Sequence, residues 1–294
     1  MNGDIKKPKQ LLNAFRSLFI ILQIDKILRY FTHNKESTSF IGKIAPNNYQ
    51  YKPNTIRKFK INDICLEGDI SDYVAHFLYF GFKDIAHERL LNLAKKDAII
   101  LDIGTNIGTT LLRFADRVGS NGYVYGFEPD VINYKSCFKN ISLNNFSNIE
   151  VNNIGLGDSN NVFLLVVDTP TNRGGNRIVI GNTTNKESIE IKVQKLDDWI
   201  TSKDISKINV IKIDVEGFEF KVLKGGIETI QKFKPIMFIE LDDNNLKAVG
   251  NSAKELIALV ESLNYSIINA ENNAAVYADQ SFTNCHFDIL CTPK

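Results

Sequence analysis

The sequence has no Cys-x-x-Cys pair, no Gly-x-Gly-x-x-Gly loop, no unbroken apolar run of membrane-spanning length and almost no net charge. Each absence excludes something. The four cysteines, Cys65, Cys137, Cys285 and Cys291, lack zinc-ligand spacing, and the close pair Cys285-His286 offers too few donors for a tetrahedral site. They read as reduced thiols. The apolar stretch at residues 11–31 is interrupted by Arg16, Asp25, Lys26 and Arg29, whereas a spanning helix needs about 20 apolar residues in succession. No small-residue cleavage site follows it. A formal charge of +1 over 294 residues gives no basic excess for a nucleic-acid footprint. The expectation is a cytoplasmic protein with no transmembrane segment and no nucleic-acid partner.

What is present begins with a helix. Leu11, Phe15, Leu18 and Leu22 recur at helical spacing. The polar face is not strongly basic, so this amphipathic helix is expected to pack on the main domain or to support a homo-oligomer rather than bind a membrane surface. Residues 32–53 read as a linker or irregular loop. Residues 1–54 are thus set apart as a helical extension, and residues 55–294 as the catalytic domain. Short strands follow at residues 55–69, with a turn at Asn62-Asp63, and two helical pieces separated by Gly81 at residues 71–95.

Then the pattern changes. Short apolar runs at residues 98–101, 123–127, 149–151, 210–213 and 236–239 alternate with helical periodicity at 108–118, 131–144 and 218–231. That alternation predicts a doubly wound, mostly parallel α/β sheet. A β-rich insertion is expected at about residues 161–195, after a cofactor half at about 97–160. Two terminal strands are expected at residues 265–268 and 287–290.

Four motifs carry the chemistry. In the first, a strand ends in Asp102-Ile103-Gly104-Thr105-Asn106-Ile107-Gly108 and a helix follows. Gly104 permits a tight turn, Asn106 tolerates left-handed backbone, and the helix start aims amides at the loop. An acid two positions before the first glycine would repel a pyrophosphate but would welcome the ammonium of a methionine moiety. In the second, Glu128 ends the next strand, where a carboxylate can accept both hydroxyls of a ribose, and Pro129 stops that strand. In the third, Gly155-Leu156-Gly157-Asp158 offers Asp158 to an adenine amino group, with a plain turn as the competing reading. In the fourth, Lys212-Ile213-Asp214-Val215-Glu216-Gly217 places two carboxylates at a strand exit. Lys212, inside an apolar strand, is expected to pair with a carboxylate. Asp214 and Glu216, with Glu240 at the next strand exit, are the candidates for orienting or deprotonating a substrate hydroxyl. Capping of the following helix is the competing role for Glu216 and Glu219. A divalent cation could sit among these acids, but no metal site is predicted.

Together these residues resemble the FkbM-type methyltransferase family over residues 72–265. The resemblance rests on Phe80-Gly81 with Asp84, the loop Leu101-Asp102-Ile103-Gly104-Thr105-Asn106-Ile107-Gly108, Gly126-Phe127-Glu128-Pro129, Asn140, Asn144-Asn145 and Leu196-Asp197. Its most distinctive carriers are Lys212-Ile213-Asp214-Val215-Glu216-Gly217-Phe218-Glu219, Val222-Leu223-Lys224-Gly225 and Ile239-Glu240. Thr105 and Asp84 depart from the family's usual Ala and Glu. The resemblance implies a class I methyltransferase fold with a seven-stranded sheet. It implies S-adenosylmethionine as donor, S-adenosylhomocysteine as product, and a hydroxyl acceptor on a sugar, glycan or secondary metabolite. The expected cofactor residues are Asp102, Gly104, Asn106, Gly108, Glu128, Pro129 and Asp158. The expected catalytic residues are Asp214 first, then Glu216 and Glu240. His76, His87 and His286 are weaker bases, and Arg173-Gly174-Gly175-Asn176 is a polar loop that could close over an acceptor. The alternatives are an NAD-dependent oxidoreductase or epimerase, which the missing Gly-x-Gly-x-x-Gly disfavours, and a non-catalytic binding subunit of the same fold.

Overall fold

A computed structural model of the chain describes residues 6–167, 169, 172–179 and 187–294, with side chains from Leu11 onward. The rest of the insertion lies outside the described residues. The chain divides into two compact units, the first running to Asp84 with residues 169–174 added, the second holding the remainder.

The first unit contains α1 (Lys6–Ile21), α2 (Asp25–Thr32), α3 (Phe40–Ile44), the hairpin β1 (Ile56–Ile61) and β2 (Ile64–Asp69), and α4 (Tyr73–Phe80). Asn62, at φ 51°, makes the expected turn, and Gly81, at φ 64°, ends α4 in the left-handed conformation. A polar knot joins these parts. The buried Asp25 carboxylate takes the Arg57 guanidinium at 3.1 Å and the Tyr79 hydroxyl at 3.0 Å, and Thr32 donates to the Phe80 carbonyl at 2.7 Å. The unit therefore extends to Asp84 and not to residue 54. Residues 32–53 are no linker either: Ala45 and Tyr51 are buried, and His76 Nε2 donates to the Pro46 carbonyl at 2.7 Å. Helix α1 inverts the expected packing. Its polar side holds the unit, with Arg16 Nε donating to the Lys43 carbonyl at 2.8 Å and Gln50 Nε2 to Ser17 Oγ at 3.2 Å. Its apolar stripe faces solvent.

The second unit begins with α5 (Ile85–Leu91). Then come β3 (Ile99–Ile103), α6 (Thr109–Val118), β4 (Tyr123–Phe127), α7 (Val131–Ser142) and β5 (Ile149–Asn152). The insertion follows as β6 (Gly155–Leu156), β7 (Asn161–Val166), β8 (Arg177–Val179) and β9 (Ser188–Gln194). After α8 (Leu196–Thr201) come β10 (Val210–Ile213), α9 (Glu219–Lys224), α10 (Ile227–Phe233) and β11 (Ile236–Asp242). The unit closes with α11 (Asp243–Ala248), α12 (Ala253–Ser262), β12 (Tyr265–Asn269) and β13 (His286–Pro293).

Seven strands form the central sheet in the order β12-β13-β11-β10-β3-β4-β5. The pairs among β11, β10, β3, β4 and β5 are parallel, and β13 runs antiparallel to both neighbours. Strand alternation sends successive side chains to opposite faces. Leu101, Ile103, Ile211, Ile213 and Ile239 join Trp199, Leu223 and Leu256 in one core. Ile100, Val124, Val210 and Phe238 join Leu111 and Phe114 in the other. Each fully buried aliphatic side chain contributes roughly 1.5–3 kcal/mol. The insertion forms its own sheet, β6-β9-β7-β8. It is pinned by Phe218, whose ring meets Phe163 edge-on at 5.5 Å.

One glycine sets how closely β3 and β10 can end together. A Cβ on Gly104, at φ 85°, would lie 1.8 Å from the Asp214 carbonyl oxygen. The sequence accounts for this glycine by a tight turn; the neighbouring strand's backbone adds a second requirement. Gly250 has a similar φ of 84° but open space around it. We predict that Gly104→Ala lowers stability by more than about 2 kcal/mol while Gly250→Ala costs about 1 kcal/mol, read by urea denaturation. Equal costs would show that backbone conformation alone matters there.

Candidate active site

The site grows from strand register. Residues Ile103, Ile213 and Ile239 lie side by side on β3, β10 and β11, so Gly104, Asp214 and Glu240 leave the sheet together. One residue earlier, Asp102 and Lys212 are cross-strand partners. The Lys212 ammonium donates to the Gly104 carbonyl at 2.7 Å and lies 3.1 Å from Asp214 and 3.5 Å from Asp102. Lys212 thus has the carboxylate partner its position demands, twice over. Burial works against its charge, yet Asp214 and Asp102 outweigh burial and hold the ammonium protonated. Burial pushes Asp102 up, against the pull of Lys212. Asp102 has no exposed surface. Both its carboxylate oxygens are buried without a hydrogen-bond partner, and its contact is the ion pair with Lys212.

The loop at residues 104–108 is closed on itself. Gly104 and Thr105 donate their amides to the Phe127 carbonyl, Gly108 to Thr105, Ile107 to Asn106 Oδ1 and Asn106 to Glu128 Oε2 at 2.7 Å. These loop amides are therefore committed within the protein. Asn106 adopts φ 53°, as its side-chain type allows. Gly108, at φ 87°, abuts Cys137 of α7.

Glu128 is almost fully buried at the end of β4. Burial raises its pKa to about 7, although amides from Asn106 and Asp130 oppose the shift. Each carboxylate oxygen takes one amide, which leaves an acceptor position on each for a further hydroxyl. Pro129 opens a pocket of about 280 Å³ with Val131, Asn153 and residues 189–192 of β9. Asn153, unforeseen from sequence, donates to the Glu128 carbonyl at 2.8 Å. Asp158 is engaged elsewhere, 3.3 Å from Lys221. Of the loop at Arg173, Asn176 is buried and donates to Asp130 at 2.7 Å, so that end is anchored.

The turn after β10 explains its sequence. Gly217, at φ 102°, sits where a Cβ would be 2.5 Å from the Asn245 carbonyl. Glu219 Oε1 accepts from the Val215 amide at 3.1 Å and the Gly217 amide at 3.0 Å, so it clamps the turn that precedes the helix, and α9 itself has no side-chain cap. Glu216 does not cap. At φ 53° it turns toward α11 and accepts from Asn245 Nδ2 at 2.9 Å. Arg177, from β8, donates to Asn245 Oδ1 at 3.1 Å. Arginine can only donate, so the amide of Asn245 must face Glu216.

Asp214, Glu216 and Glu240 each bring a carboxylate oxygen within 4.8 Å of the others. Burial, then repulsion from Asp214 and its neighbours, raises Glu216 to about 8 and Glu240 to about 11. Such a group shares protons or takes up a hard cation, which oxygen ligands suit. No metal was predicted from sequence, and this trio is the set of described residues that could hold one. His286, weighed only as a remote base, lies 3.1 Å from Asp242 and 4.0 Å from Glu240. Asn245 and Arg177 carried no sequence signal, since only the fold brings α11 and the insertion to this turn.

A parallel sheet of this order with β13 reversed, a glycine loop after β3 and an acid closing β4 define a class I methyltransferase. The Methyltransferase FkbM domain matches residues 102–267, more than half of the chain. The chain belongs to the FkbM methyltransferase family and is an S-adenosylmethionine-dependent methyltransferase. The nicotinamide alternative falls with that assignment. It is similar to the 2-O-methyltransferase NoeI of Sinorhizobium fredii, at 25% identity over 177 residues, covering 54% of this chain and 70% of the relative. It is also similar to the hexuronic acid methyltransferase AglP of Haloferax volcanii, at 26% over 174 residues, covering 55% and 69%. Among solved structures it is similar to methyltransferase FkbM from Methylobacillus flagellatus KT. That match has 22% identity and a TM-score of 0.42, over 67% of this chain and 44% of the other, which is under half of that protein. Among the described residues no helix is long and apolar enough to cross a membrane.

Two measurements check the electrostatics. Lys212→Met should cost about 3–5 kcal/mol in urea denaturation, and the double variant with Asp102→Asn should recover part of it; additive losses would contradict the pairing. The second concerns pH. Glu128 and Glu219 rise to about 7 and Glu216 to about 8 from an ordinary 4.5, burial being the first cause in each. The folded state then holds protons that the unfolded state has lost, so stability falls as pH climbs from about 5 to 8. A Tm that rises over that interval would contradict this.

Proposed function

We propose that the protein moves a methyl group from S-adenosylmethionine to a hydroxyl of a sugar or glycan. The observation that carries this is the carboxylate trio Asp214, Glu216 and Glu240 at the strand exits, joined through Lys212 to the Gly104 loop. The names of the two relatives, one a 2-O-methyltransferase and one a hexuronic acid methyltransferase, support a sugar acceptor.

The residues present fit the donor. Glu128 keeps an acceptor position on each oxygen for the paired ribose hydroxyls, and the Pro129 pocket lies beside it for the adenine. When bound, the donor supplies a methyl group on a positively charged sulfur, a reactive centre that mainly needs positioning. The chain's own task is the acceptor proton. Asp214, ion-paired to Lys212 and partly exposed, receives the acceptor hydroxyl. Glu216, with its proton affinity near neutral pH, takes the proton as the oxygen gains its methyl. Asn245 occupies one Glu216 oxygen, so the other faces the reaction. Glu240 keeps its own proton and limits the negative charge of the group.

Asp214→Asn should lower kcat by about 100- to 10,000-fold with little change in S-adenosylhomocysteine affinity. Glu128→Gln should instead weaken that affinity about tenfold or more. The reverse pattern would exchange the two roles. In the wild type, kcat/KM should rise with pH to a plateau above about 8, the pH at which Glu216 loses its proton. A profile flat from pH 6 to 9 would exclude Glu216 as the base. A cation among the carboxylates would displace their protons and shift the rise to lower pH, so the profile is measured with chelator and with added Mg²⁺. Mass spectrometry of a hydroxylated sugar panel reports the transfer itself. Stabilisation by S-adenosylhomocysteine with no transfer to any acceptor would favour a binding subunit.

A further inference from the structure

A surface helix ordinarily buries its apolar stripe and shows its polar face to water. Helix α1 does the opposite. Asn13, Arg16 and Ser17 point into the first unit, where Arg16 bonds the Lys43 carbonyl and Gln50 reaches both Ser17 Oγ and the Asn13 carbonyl. On the other side Leu11, Phe15, Leu18 and Leu22 are 73, 47, 51 and 63% exposed. They follow the helical repeat and form one continuous stripe. The inversion is fixed by the polar bonds. Turning the stripe inward would strand the Arg16 guanidinium and the Lys43 carbonyl.

Charge indicates what covers the stripe. Residues 1–44 hold eight Lys and Arg against three Asp and Glu, a net +5 in a chain whose total is +1. Three of those lysines fall at positions 6, 7 and 9, directly before the stripe begins. A second copy of the chain would bring a like-charged +5 segment against this one, which disfavours self-association. An anionic lipid surface supplies both the apolar depth and the opposite charge. The helix is too short and too broken by charge to cross the bilayer, so it would lie along it. We infer that α1 is a docking helix that seats the enzyme on an anionic membrane surface through Leu11, Phe15, Leu18 and Leu22.

The test is vesicle sedimentation with the full chain. One vesicle preparation is phosphatidylcholine alone, and the other is phosphatidylcholine and phosphatidylglycerol in equal parts. The wild type should partition to the anionic vesicles at least about tenfold better than to the neutral ones. The double variant Leu11→Glu with Leu18→Glu should lose at least about tenfold of that partition, with Tm unchanged because both side chains stand in solvent. Light scattering should give a monomer mass for both proteins. Three results would overturn the inference: no sedimentation with anionic vesicles, equal sedimentation of the double variant, or a wild-type dimer that the double variant dissolves. The last would assign the stripe to a second copy.

Discussion

One ammonium group inside the sheet orders the whole site. Lys212 is flanked along its strand by Ile211 and Ile213 and is buried, so an unpaired charge there would be very costly. Its three contacts remove that cost together. The Gly104 carbonyl fixes the loop after β3, Asp102 fixes the strand beneath it, and Asp214 fixes the exit of β10. Because the ammonium has only donors, all three partners must present oxygen to it. The glycine loop and the acidic turn are thereby one structure. Gly104 permits this geometry, since any side chain there would run into the Asp214 carbonyl.

From that point charge accumulates outward. Lys212 satisfies one acid of the trio and leaves Glu216 and Glu240 to accommodate each other. They do so by holding protons, and Glu216, raised to about 8, makes the turn responsive to pH. The backbone is constrained to match. Glu219 clamps the amides of Val215 and Gly217, and Glu216 accepts a left-handed conformation to reach Asn245. The insertion takes part through Arg177 and through Phe218, which belongs to the same turn. A change in the insertion can therefore alter the acid cluster without touching it.

Much of the fold was legible because its signals are local. Apolar runs such as Ile99-Ile100-Leu101 and the helical repeats between them need no tertiary knowledge, and turns at Asn62, Gly81 and Asn106 follow from backbone preference. The acids at strand ends were legible for the same reason. What sequence could not give was direction. That Lys212 needs a carboxylate is legible, but which one is set by register, which makes Asp102 its cross-strand partner. Asn245, Arg177 and His286 come from distant segments that only the folded sheet and its insertion bring to the turn. Helix α1 showed its periodicity but not its sense, because an apolar stripe does not reveal which side of it the chain will use.

The most direct measurement is a structure of the protein with S-adenosylhomocysteine and a hydroxylated sugar bound together. The ribose hydroxyls should rest on Glu128, with the sulfur turned toward Asp214, and the acceptor hydroxyl should lie within hydrogen-bond distance of Asp214 or Glu216. An acceptor held on another face, with no carboxylate of the trio near its hydroxyl, would contradict the account.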